Sequence, residues 1–220
     1  MTEPDDDVRR GAAVYSKRVL GFYDLLVVHL SNTYVWRCHR DRIVELYNQN
    51  VRTRHLDVGP GTGWYLARAR MPPDATITLM DLNANSLASA SARLADSGPD
   101  TLVADVLEPL PDDVGPFDSI GANYVFHCVP GAWADKGAAF GHLAARLAPE
   151  GVLFGGTILA RGVRHNAAGR RLMSVYNNKG IFHNGDDDAH GLERALRPHF
   201  TDVTVDVVGT VALFRASRPI

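Results

Sequence analysis

The stretch HLDVGPGTGWYL, His55 to Leu66, joins a short apolar run to three glycines at alternate positions, Gly59, Gly61 and Gly63, and then to residues with helical spacing. Strand, glycine-rich turn and helix together bring bare backbone against a ligand, because glycine accepts positive φ and carries no Cβ. A dinucleotide is the first ligand to test, since its fingerprint GxGxxG occupies this position in a βαβ unit. Here Trp64 stands where the third glycine belongs, and Pro60 removes one N–H donor from the loop. That disfavours a dinucleotide, and with it an NAD-linked oxidoreductase. The glycines suit a ligand lying on the backbone with a smaller anionic group at the helix start.

Outward from this turn, short β-rich runs alternate with helical ones. His55–Val58, Thr76–Leu82, Thr101–Val106, Phe117–Ala122 and Gly151–Leu159 read as strands, and Trp64–Arg70, Ala84–Ala95 and Ala132–Leu147 as helices between most of them. Such alternation predicts a mostly parallel sheet with helices on both faces. Val203–Val208 and Thr210–Ala216 are separated only by Gly209, too short a link for a parallel crossover, so the final strand is expected to run antiparallel. Before the first strand, amphipathic spacing predicts helices over 8–29 and 34–50, preceded by a polar tail. The expected organisation is thus a tail and helical lid over 1–50 and one α/β domain over 51–220.

The bulk numbers exclude several classes. With 220 residues, 45% hydrophobic and 22% charged, the composition is that of an ordinary globular domain. A formal charge of −2 supplies no field toward nucleic acid. Cys38 and Cys128 lie too far apart for a CxxC pair and are too few for a disulfide framework, which suggests a reducing, cytoplasmic setting. The acidic start MTEPDDDVRR has no apolar core of the signal-peptide kind, and no membrane span is expected.

At this point the residues reach a family. Asp57-Val58-Gly59-Pro60-Gly61-Thr62-Gly63 resembles the first motif of class I S-adenosylmethionine-dependent methyltransferases, and later segments follow in that family's order. Asp81, in TLMDLN before Leu82, resembles the acidic residue that accepts the ribose hydroxyls. Asp105-Val106 resembles the pair at the adenine, and Phe117-Asp118-Ser119-Ile120 with Asn123-Tyr124 resembles the fourth-strand motif. LAPEGVLFGGTIL, residues 147–159, resembles the approach to the fifth strand. The resemblance implies a Rossmann-like, doubly wound, mostly parallel seven-stranded sheet with an antiparallel last strand and an N-terminal helical lid. It implies S-adenosyl-L-methionine as cofactor and S-adenosyl-L-homocysteine as its product. Asp57, Gly59, Pro60, Gly61 and Gly63 would hold the methionine portion, Asp81 and Leu82 the ribose, Asp105 and Val106 the adenine, with Asn123 and Tyr124 beside them. Helix capping is the competing reading of Asp81 and Asp105 taken singly.

YDLLVVHLSNTYVWRC, residues 23–38, is similar to the leading helices of small-molecule methyltransferases, which implies that Tyr15, Tyr23, Tyr34 and Trp36 face donor or acceptor. Core packing is the rival use of such aromatics. Arg37 is a candidate partner for the methionine carboxylate. Asn123-Tyr124-Val125-Phe126 lacks the Pro-Pro-aromatic of enzymes that methylate bases, which points to a small metabolite, with O, S or N as the methylated atom and no nucleic-acid partner. The closest likeness is to bacterial natural-product methyltransferases acting as monomer or homodimer; a non-catalytic S-adenosylmethionine-binding regulatory or assembly protein is the alternative. His127, after the fourth strand, is the first candidate for a base, while His165 and His183 flank the segment after the fifth strand that shapes acceptor pockets in relatives. NGDDDAH, residues 184–190, crowds carboxylates with a histidine, yet it precedes a helical run where acidic residues cap, so no metal is expected.

Overall fold

The computed structural model describes residues 31–220. The helix expected over 8–29, and with it Tyr15 and Tyr23, lies outside the described residues. The elements are α1 (Arg40–Asn50), β1 (Arg54–Val58), β2 (Thr76–Met80), α2 (Ala84–Arg93), β3 (Asp100–Leu102), β4 (Phe117–Asn123), α3 (Trp133–Lys136), α4 (Ala138–Ala144), β5 (Leu147–Ile158), α5 (Ala167–Asn178), α6 (Ala189–Leu196), β6 (Phe200–Val208) and β7 (Val211–Pro219). They build a seven-stranded sheet in the order β3-β2-β1-β4-β5-β7-β6. β7 runs antiparallel to both β5 and β6, and the other pairings are parallel; the two-residue turn Gly209-Thr210 is too short for any but an antiparallel β6–β7 pair.

Period-two alternation divides the core between the two faces of the sheet. Leu153 and Ala212 fall in one apolar cluster with Phe126, Phe140 and Leu192, whereas their chain neighbours Phe154 and Val211 fall in another with Ile43, Tyr47 and Leu87. Strand order reverses at β1, between β2 and β4, and a cleft opens there beyond the carboxyl ends of the strands.

Three expected helices are corrected. The helix over 34–50 begins only at Arg40, capped by His39, whose Nδ1 accepts from the Asp41 N–H at 3.3 Å. Arg37 has φ +56°, and the Trp36 carbonyl accepts from the Thr210 N–H at 2.9 Å and from its Oγ1 at 3.0 Å, so residues 36–38 are tied to the β6–β7 turn. A Cβ on Gly209 would lie 2.4 Å from the Trp36 and Arg37 carbonyl oxygens, so only glycine fits that turn. The helix over Trp64–Arg70 shrinks to one 3₁₀ turn, Leu66–Arg68, because the Arg70 N–H goes to Asn48 Oδ1 at 2.8 Å. The helix over Ala132–Leu147 divides at Gly137 into α3 and α4.

Candidate active site

A cavity of about 210 Å³ opens at the switch point, lined by the ends of β1 and β2, the loops after β3 and β4, and Gly180, Ile181 and His183 after α5. Gly59 and Gly61 line it with φ of +61° and +56°. A Cβ on Gly59 would come within 2.5 Å of Val125 Cγ2, so that glycine lets the loop tuck beneath Val125. A Cβ on Gly61 would meet nothing within 4 Å and would project into open space. Backbone is therefore presented bare where the sequence placed it.

Asp81, Leu82, Asp105, Val106 and Tyr124 line the same cavity. Asp81 Oδ1 accepts the Asn83 N–H at 2.8 Å and Asp105 Oδ1 accepts the Leu107 N–H at 2.9 Å, so both carboxylates also fold their own loops. The cap of α2 is Asn83, which accepts from the Asn85 N–H at 2.9 Å. Burial pushes Asp81 up to about 6, opposed by hydrogen bonds from Asn83, Leu82 and Ser86. An ionised carboxylate keeps lone pairs beyond the one used in the turn, which suits it to a ligand's hydroxyl or amino donors.

Other sequence candidates lie nearby without lining the cavity. Asp57 is fully buried and accepts the Tyr47 hydroxyl at 2.8 Å; burial pushes it up to about 7 against that bond. Asn123 is buried beside the same hydroxyl. Gly63 packs on α2, where an added Cβ would lie 3.2 Å from Ala90, and Pro60 sits at the turn, its carbonyl accepting the Gly63 N–H at 2.8 Å. These residues support the loop from beneath. Trp64 is sandwiched by Arg68, 3.9 Å from its ring, and Arg40, at 5.6 Å, which pins α1 to this loop.

The aromatic and basic candidates separate sharply. Tyr34 is exposed and Trp36 is buried edge-on to His165, so neither lines the cavity. Arg37 donates to the Arg164 carbonyl, away from the place expected for a methionine carboxylate. His165 is held by Leu159 O, 2.9 Å from its Nε2, outside the cavity. His127 is buried with its ring against Phe182 at 4.4 Å, and burial, aided by Lys136, lowers it to about 3. His183 does line the cavity, together with Cys128, whose thiol burial pushes up to about 12.

Two features escaped the sequence. Lys136 and Asp187 form a buried ion pair at 2.7 Å, and the ammonium also donates to the Phe126 and His183 carbonyls at 3.2 Å each. It ties the loop after β4 to the loop after α5, both of which line the cavity. A lone lysine in a short amphipathic helix carries no signal of this. Val125, Val129 and Pro130 were also missed, although the rule that ligands bind beyond strand carboxyl ends marks residues just past β4. Of the acidic run, Asp188 caps α6 by accepting from the Gly191 N–H, Asp187 holds Lys136, and Asp186 pairs with Arg161 on the surface. Among the described residues, no cluster that could hold a metal ion occurs.

A family model described as a methyltransferase domain matches residues 56–153. The chain is 38% identical over 212 residues to the physcion biosynthesis cluster O-methyltransferase of Aspergillus chevalieri, covering 96% of each chain. It is 39% identical to the demethylluteothin O-methyltransferase of Streptomyces thioluteus, covering 96% of this chain and 93% of that one. The chain belongs to the S-adenosylmethionine-dependent methyltransferases. The methyltransferase fold is shared with phosphoethanolamine N-methyltransferase 2 of Haemonchus contortus in complex with S-adenosyl-L-methionine, at a TM-score of 0.70 and 14% identity, over 100% of this chain and 61% of that one. The cofactor of this methyltransferase fits the cavity's own chemistry. Open space above Gly61 leaves room against the backbone, and Asp81 and Asp105 bring to the cavity wall carboxylates able to accept from hydroxyl and amino donors.

Proposed function

We propose that this methyltransferase methylates a hydroxyl oxygen of an apolar small molecule of the secondary-metabolite class. In this reading Gly59 and Gly61 lie along the methionine portion, Asp81 accepts the ribose hydroxyls, and Asp105 with Val106 borders the adenine. The observation that carries the acceptor assignment is the part of the cavity lining that comes from the loops after β4 and α5. There Val129, Pro130 and Ile181 form an apolar wall around Cys128 and His183, with Gly180 alongside. Oxygen is favoured over sulfur and nitrogen because both of the similar natural-product enzymes named above are O-methyltransferases.

When bound, S-adenosylmethionine supplies a methyl carbon on a cationic sulfonium, which an acceptor lone pair attacks in line. The chain's contribution is positioning and exclusion of water. Charge is consumed as the reaction proceeds, so an apolar wall that removes water from the reacting atoms favours the transition state over the hydrated ground state. Holding attacker and methyl about 3–3.5 Å apart supplies a further large share of the rate. Among the described residues, no helix is long and apolar enough to cross a membrane.

The test is transfer of labelled methyl from S-adenosylmethionine to a panel of phenolic, enolic, thiol and amine acceptors. Labelled methyl ethers from hydroxyl acceptors are the expected product. Transfer only to thiols or amines would move the assignment to another atom, and cofactor binding without turnover across the panel would establish the non-catalytic binder instead.

A further inference from the structure

We infer that His183 is the catalytic base of this enzyme, taking the acceptor's hydroxyl proton on Nδ1; the inference rests on the hydroxyl-methylating reading above. His183 lines the cavity at its acceptor end, and among the described residues no other histidine lines it. Its Nε2 lies 3.1 Å from the Gly180 carbonyl oxygen. A carbonyl oxygen can only accept, so Nε2 carries the hydrogen, and the neutral ring keeps its lone pair on Nδ1. The carbonyl plays the part that a third group plays in hydrolytic triads, fixing tautomer and ring orientation. It also strengthens its hold as the ring becomes cationic, because a charge-assisted hydrogen bond is the stronger one.

The backbone around the ring is anchored on both sides. The His183 N–H donates to the His127 carbonyl at 2.8 Å, and the His183 carbonyl accepts from Lys136 Nζ at 3.2 Å. Lys136 in turn is held by Asp187. These contacts hold the ring in place three residues beyond Gly180.

The other titratable groups near the cavity are poorer choices. His127 is packed against Phe182, outside the cavity, and burial makes it a weak base. Cys128 is kept protonated by burial. Asp81 and Asp105 stand on the loops after β2 and β3, where their carboxylates are engaged with the Asn83 and Leu107 N–H groups. In the step itself, the hydroxyl proton passes to Nδ1 as the oxygen–methyl bond forms and the sulfur–methyl bond breaks with its electron pair on sulfur. The imidazolium then releases the proton to solvent, and the product is a methyl ether.

The experiment combines structure and rate on the full chain. Nitrogen-15 histidine spectra of the wild-type protein should show the His183 ring protonated at Nε2 and bare at Nδ1; a proton on Nδ1 would overturn the assignment. His183→Asn and His183→Gln should bind S-adenosylhomocysteine within about twofold of wild type, yet lose about 10²–10⁴-fold in kcat with alkylphenols. The loss should shrink toward none with nitrophenols, which ionise without help. Equal activity of variant and wild type toward alkylphenols, or an equal loss with every phenol, would overturn the base and leave the hydroxyl-methylating reading standing. No transfer by the wild-type enzyme to any hydroxyl acceptor would remove that reading and the base with it.

Discussion

Replacing Asp187 by Leu removes one partner of a pair whose side chains are 0% and 1% exposed, and strands the Lys136 ammonium among two carbonyls. Leaving a buried charge without its counter-ion costs about 3–5 kcal/mol. In a protein of this size each kcal/mol lowers Tm by about 2–4 °C, so a fall of about 6–20 °C is expected. The double variant Lys136→Met with Asp187→Leu should recover most of that fall, because it removes both charges and keeps the volume apolar. The pKa shifts support this. Burial pushes Asp187 up to about 6 despite the attraction of Lys136, and burial also lowers Lys136 despite Asp187. Thermal unfolding followed by circular dichroism at pH 7 reads both variants. A single variant as stable as wild type, or a double variant no better than the single, would refute the reasoning.

Asp81→Ala should weaken S-adenosylhomocysteine binding by about 1–3 kcal/mol in calorimetry, through donors left unpaired. Because burial raises Asp81 to about 6, wild-type affinity should fall as pH drops below that value, while the variant's affinity stays flat. Gly61→Ala meets no protein atom within 4 Å, so the variant should fold with a stability loss of only about 1 kcal/mol from its positive φ and bind cofactor at least tenfold more weakly. His127 is neutral in the fold, with a value lowered to about 3, whereas the unfolded chain takes up a proton below its ordinary 6.5. Stability is therefore lost as pH falls through that window, by about 1.5–2 kcal/mol between pH 6.5 and 5. Buried His55, also lowered to about 3, adds a like increment, so the loss between the two pH values, read from urea midpoints, should be smaller in His127→Gln than in wild type by the His127 share alone.

The glycine turn and its place at the cavity were legible because they follow from backbone rules. Gly59 and Gly61 stand just past β1 as the short apolar run before them implied, whereas the strands expected over 76–82 and 101–106 end earlier, at Met80 and Leu102, which leaves Asp81 and Asp105 on the loops that border the cavity. The antiparallel β7 followed from the length of a single link. Legibility failed where tertiary contacts override local pattern. Nothing local shows that the Trp36 carbonyl is claimed by Thr210, which delays α1 to Arg40, or that Asn48 takes the Arg70 N–H and cuts a helix to one turn. The same holds for the histidines. The sequence put His127 ahead of His183 as a base, and only packing decides that Phe182 covers the first while the second borders the cavity.

A crystal structure of the chain grown with S-adenosylhomocysteine tests the central claim most directly. The ligand is expected at the switch point, with its ribose hydroxyls on Asp81, its adenine beside Asp105 and Val106, and its sulfur facing His183 and the wall formed by Val129, Pro130 and Ile181. A ligand bound elsewhere, or lying in the cavity with Asp81 and Asp105 out of contact, would contradict the account.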